Sequence, residues 1–207
     1  MSWWRQFFRQ EQSSRPVDYD QLGRELADLL WASLKTGPAA DALKQLAREC
    51  RPSADEGTIA LEVILFHQFL LVQACAGGIT EGETPDSITR QAVSAFHVAF
   101  YREVQSRSEL EKSTLDVLRG LWAVRANEYQ EPFHEDFQEF LRKEGKGAFQ
   151  LPWKRVVARF VRHFVEIPDP MELAGSVKAC FSVAGTFGAL FTSVGETIRA
   201  HYGQHSK

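Results

Sequence analysis

The feature that most constrains this chain is the run GTIALEVILFHQFLLVQACAG, residues 57–77, which is apolar nearly all the way round a helix. A helix without a polar face must be enclosed by protein or by lipid. Glu62, His67, Gln68 and Gln73 interrupt the run, whereas a bilayer span asks for ~20 predominantly apolar residues. The reading is therefore a buried central helix. Helical periodicity recurs on either side of it and no stretch alternates like a strand, so the expected fold is all-α: a single-domain bundle of about seven helices wrapped around residues 57–77.

The helices around it can be placed from their punctuation. Asp18 or Asp20 can cap a helix with Leu22, Leu26, Leu29, Leu30 and Leu34 on one face, ended by Gly37-Pro38. A second carries Ala39, Leu43, Leu46, Ala47 and Cys50 and stops at Arg51-Pro52, so the two read as a helical hairpin. After a loop from Gly77 to Pro85, Asp86 or Ser87 opens a fourth helix that turns Ile88, Ala92, Val93, Phe96, Phe100 and Val104 inward. A fifth, from about Ser108 to Tyr129, presents Leu110, Val117, Leu118, Leu121 and Val124, and Glu131-Pro132 is expected to break or kink it. Phe133, Phe137, Phe140 and Leu141 form another turn set, a helix follows from Trp153 to about Glu166, and a last helix runs from about Met171 to Tyr202.

That last helix holds 17 uncharged residues between Lys178 and Glu196, with small residues four apart at Gly175/Ala179, Ala184/Gly188 and Gly185/Ala189. Such spacing lets helix backbones approach closely. The expectation is tight packing on the central helix, with a homo-oligomer seam as the second reading. A chain of 207 residues can bury a core without metals or disulfides. Cys50, Cys75 and Cys180 lack metal-ligand spacing and fit reduced thiols of a cytoplasmic protein. A net charge of −3 argues against a nucleic-acid binder, which needs a broad basic footprint.

Two segments look built to touch something else. Trp3, Trp4, Phe7 and Phe8 cluster on one side of a helix with Arg5 and Arg9 on the other, a composition that is not that of a signal peptide. Residues 1–15 are read as an aromatic docking segment and tether, and 16–207 as the helical domain. The second segment begins at Trp153, where Val156, Val157, Phe160, Val161 and Phe164 share a face opposite Lys154, Arg155, Arg159 and Arg162. Between residues 142 and 163 seven Lys or Arg face a single acid, Glu144, which suits an acidic or phosphate-bearing partner. The bland version is a surface helix whose arginines pair with Glu131, Glu135, Asp136 or Glu139.

Polar residues inside apolar faces give the weaker metal candidates Glu62, His67, Glu103 and His134. A di-metal bundle would need two ExxH motifs, and the one here, Glu131 to His134, contains Pro132. The commoner explanation is pairing across the core, for example Glu62 with Arg125. No cofactor is expected, and no P-loop, GxGxxG, GxSxG or HExxH is present, which points away from an enzyme. The functional expectation is a non-catalytic interaction or regulatory protein, cytoplasmic or peripheral to a membrane. It would dock on a partner protein or an anionic membrane surface through its N-terminal segment and basic helix. The alternative is a bundle that binds a metal, haem or small apolar ligand in its core.

Overall fold

The structure, a computed structural model, describes residues 17–77, 86–108, 112–142, 153–164 and 174–202. The described residues are all-α, with no strand among them: α1 (Tyr19–Thr36), α2 (Pro38–Cys50), α3 (Glu56–Gly77), α4 (Asp86–Ser108), α5 (Lys112–Arg142), α6 (Lys154–Val161) and α7 (Ala174–Tyr202). The N-terminal docking segment lies outside the described residues.

Local chemistry explains where these helices start and stop. Asp18 Oδ1 accepts the Gln21 N–H at 2.9 Å, satisfying one of the free amides that open α1. Gly37 ends α1, and Pro38 begins α2, where a proline costs no hydrogen bond. Asp55 Oδ2 accepts the Thr58 N–H at 2.8 Å and so caps α3.

α3 is the centre of the bundle and packs on α1, α2, α4, α5 and α7. Its Phe66 and Phe69 meet Tyr129 of α5 at ring separations of 5.1 and 5.4 Å, and Phe66 meets Phe160 of α6 at 5.4 Å. Such aromatic pairs add about 1 kcal/mol each beyond simple burial. The first two helices do not form a hairpin along their lengths. α1 lies chiefly along α4 and α2 along α7, because a one-residue link sends them in different directions. Gly23 makes the α1–α4 approach close: a methyl group there would overlap the Ala95 carbonyl.

Three expectations about α5 and α6 are corrected. Pro132 does not end the helix, and α5 continues through it from Lys112 to Arg142. Tyr129 before it and Phe133 after it are both buried against α3, and that anchoring offsets a penalty of about 3 kcal/mol for an interior proline. Val117 and Val124 are exposed, while Leu115 and Tyr129 take the buried positions. α6 ends at Val161, earlier than expected, in tighter turns where His163 and Phe164 donate to the carbonyls three residues back.

Candidate functional site

α6 is held by its neighbour rather than by its own cap. Trp153, at its N-cap, is in the left-handed region with φ 57° and makes no side-chain cap bond. Asp136 of α5 supplies the cap instead, its Oδ2 accepting the N–H groups of Arg155 and Val156 at 2.9 and 3.0 Å. Burial raises the Asp136 carboxyl above its usual range, against the pull of these bonds and of Arg155. The Trp153 ring is buried against Phe133 and Phe187 at 4.8 and 5.0 Å. The apolar face of α6 is thus core.

Its basic face is largely paired. Arg155 bridges Glu135, Asp136 and Glu139 at 3.0, 3.1 and 2.6 Å, and Arg159 lies 3.5 Å from Glu128. Lys154 and Arg162 are exposed and form no ion pair among the described residues. Between α5 and α6 opens a cleft of about 560 Å³ in which Arg155, Arg159 and Arg162 face Glu128 and Glu131. Charges of both signs line it, so no simple anion site results.

The four weaker metal candidates are not brought together. Glu62 forms the expected buried pair with Arg125, whose Nε and Nη2 donate to its carboxylate at 2.9 and 2.6 Å. Arg125 also reaches Glu128 at 3.2 Å. Glu103 accepts the Trp31 indole N–H at 2.8 Å. His134 is exposed on α5. Among the described residues no three His, Cys, Asp or Glu side chains gather as a metal site would require.

His67 is fully buried, with Nδ1 2.9 Å from the Val63 carbonyl and Nε2 without a partner. Burial pushes its pKa down to about 4, so the ring is neutral. Burial likewise lowers His97 and His163 to about 4. It raises the Cys50 thiol to about 11 and those of Cys75 and Cys180 to about 12, which disarms them as nucleophiles at neutral pH.

A residue that the sequence offered only as an interruption proves more unusual. Gln68 is wholly buried, and neither atom of its amide finds a hydrogen-bond partner. The Tyr101 hydroxyl across the α3–α4 interface is in the same condition. Burial raises the Tyr101 phenol, with the Gln68 amide beside it opposing, yet the two do not close a hydrogen bond of normal geometry. His97 of α4 meets Trp122 of α5 edge to face at 4.4 Å, and the His97 Nε2 and the Trp122 Nε1 both lack a partner.

α7 packs on the central helix α3, as its small residues suggested, but only part of the small-residue set takes part in that packing. Ala179, Cys180, Val183, Phe187, Leu190 and Val194 are buried against the bundle. Gly185, Gly188 and Ala189 instead face outward, and a methyl group added at either glycine would touch nothing. Phe181 and Thr192 share that outward face, so from Phe181 to Ser193 it carries no charge. Gly185, Ala189 and Ser193 also form one wall of a trough of about 400 Å³ whose other wall is Leu29, Ala32 and Gly37. By length and composition α3 and α7 are both apolar enough to cross a membrane; in α3 67% of the relevant stretch is buried inside the bundle, in α7 only 39%.

No family model matches the chain, and no curated protein and no solved structure matches it either.

Proposed function

We propose that this chain is a non-catalytic helical interaction protein that associates reversibly with a second copy of itself through the outward face of α7. The observation that carries this reading is the uncharged exposed strip from Phe181 to Ser193, where a solvent-facing helix ordinarily carries charge. Charge at its two ends supports a self-complementary contact. Lys178 and Glu196 lie 18 residues apart, five full helical turns, and so share one face. An antiparallel copy crossing at Phe187 sets Lys178 opposite Glu196 and Gly185 opposite Ala189, as a two-fold contact requires. The strip is ~18 Å long at the helical rise, which places the contact at the small, weak end of interface sizes. Residues 1–15, with the free cations Lys154 and Arg162, would then serve a further partner or an anionic membrane surface.

Sedimentation of the full chain tests the proposal. Concentration-dependent dimers are expected, lost in Gly185→Arg without a fall in melting temperature, since the glycine faces open space. Lys178→Glu should weaken the dimer and the double swap Lys178→Glu/Glu196→Lys restore it. A chain that stays monomeric to about 100 µM would remove the reading.

A further inference from the structure

α5 and α6 run antiparallel, held in register by Arg155 with Glu135 at 3.0 Å and by Arg159 with Glu128 at 3.5 Å. Carried along that register, Ala158 falls opposite Glu131 and Arg162 opposite Asn127, and all four line the cleft of about 560 Å³ between the two helices. Two charges are therefore mismatched. Glu131 meets a methyl group where its neighbours on α5 meet arginines, and Arg162 meets a neutral amide. Both side chains are exposed, and among the described residues neither forms an ion pair. The remaining charges of the cleft satisfy one another: Arg155 is shared by three carboxylates, and Glu128 by Arg125 and Arg159. Pro132 adds a spare acceptor. It has no N–H, so the Glu128 carbonyl one turn earlier lacks its helical donor, and both residues line the cleft.

The spare groups differ in sign and in level. The Glu131 carboxylate and the Glu128 carbonyl accept at one level of α5, and Arg162 donates at the level of Asn127, four residues or ~6 Å along the helix. A simple anion would engage Arg162 and meet Glu131 as a like charge. A ligand charged oppositely at its two ends engages both. An extended dipeptide sets its ammonium and carboxylate ~6–7 Å apart, and a cleft of this volume falls within the range of about 300–1,000 Å³ usual for small-molecule sites. We infer that the α5–α6 cleft binds a short zwitterion of dipeptide size, its ammonium at Glu131 and the Glu128 carbonyl and its carboxylate on the Arg162 guanidinium, whose planar fork matches a carboxylate. The site shares no residue with the outward face of α7 and does not rest on the self-association.

Diglycine, N-acetyl-diglycine and diglycinamide, titrated separately into the full chain at low salt and followed by amide NMR, make the test. Diglycine should shift the amides of α5 and α6 around the cleft, and each end-blocked form should bind about fivefold more weakly or worse. Glu131→Gln should lower diglycine to the affinity of N-acetyl-diglycine while leaving that of N-acetyl-diglycine unreduced. Arg162→Gln should do the same with respect to diglycinamide. Both residues are exposed, so the variants should fold as the natural protein does. Ala158→Lys, which supplies Glu131 with a cation from within the chain, should abolish diglycine binding. The inference is overturned if diglycine leaves the cleft amides unmoved up to about 50 mM, or if the blocked forms bind as well as diglycine does. It is equally overturned if inorganic phosphate binds as tightly as diglycine and ignores Glu131→Gln, which would make the cleft a plain anion patch.

Discussion

α3 and α7 are both long and apolar enough to cross a membrane, yet the bundle treats them in opposite ways. α3 is surrounded, and its polar residues are absorbed as an ion pair, a backbone hydrogen bond and a cavity lining. α7 is one-sided, and its outer strip is left apolar by small residues rather than marked by charge. What separates them is side-chain volume: α3 places Phe66, Phe69, Leu70 and Leu71 around its circumference, and each demands a neighbour. Glycine and alanine on the outside of α7 demand none.

The sharpest way to break this comparison is to truncate matched aromatics. Phe66→Ala should cost about 3–5 kcal/mol in denaturant unfolding, because the cavity it leaves lies among Tyr129 and Phe160. Phe181→Ala, measured at low protein concentration, should move stability by less than about 0.5 kcal/mol. A comparable cost for both would mean that α7 is as enclosed as α3.

Acid provides the next largest effect. Folded His67 resists protonation until about pH 4, whereas the unfolded chain takes up a proton near the ordinary value of 6.5. Stability therefore falls as pH drops from 6.5 toward 4 and is indifferent to this residue above that window. The loss due to His67 reaches about 3 kcal/mol, and His67→Gln should flatten that share of a melting-temperature profile. His97 and His163 steepen the same limb. Substitutions on the outer strip of α7 should leave its shape unchanged.

The smallest effect distinguishes the two ends of α7 itself. Gly175→Ala should destabilise, because the added methyl would collide with Glu49, whose Oε2 accepts the Gly175 N–H at 2.9 Å. Gly185→Ala should stabilise by about 0.5–1 kcal/mol through helix propensity alone. Thermal melts of the two variants, moving in opposite directions, would confirm that close packing ends before the outer strip begins.

Much of this architecture was legible in the residues. The nearly continuous apolar circumference of 57–77 required a central helix, and Glu62 inside it required a cation, which Arg125 provides. Asp18 and Gly37-Pro38 behave as local capping chemistry dictates. The failures are all tertiary. Pro132 reads as a break because the buried aromatics that hold both sides of it in place are distant in sequence. The small residues of α7 suggested internal close packing, yet the glycine that brings two helices together is the isolated Gly23 of α1. Nothing local to Glu49 marks it as the partner of the distant Gly175, and the importance of Gln68 depends on what fails to surround it.

The cap that Asp136 provides across the bundle has a consequence for the order of assembly. An isolated eight-residue helix is not stable in water, and α6 has no cap of its own. Its first turn can be completed only once α5 has delivered a carboxylate to it, so α6 is a late piece, a latch that closes on an already formed frame. α7 borrows Glu49 from α2 in the same manner. The C-terminal third of the chain thus inherits its helical order from the part synthesised before it, and a ribosome-bound chain lacking α5 would carry the α6 sequence as coil.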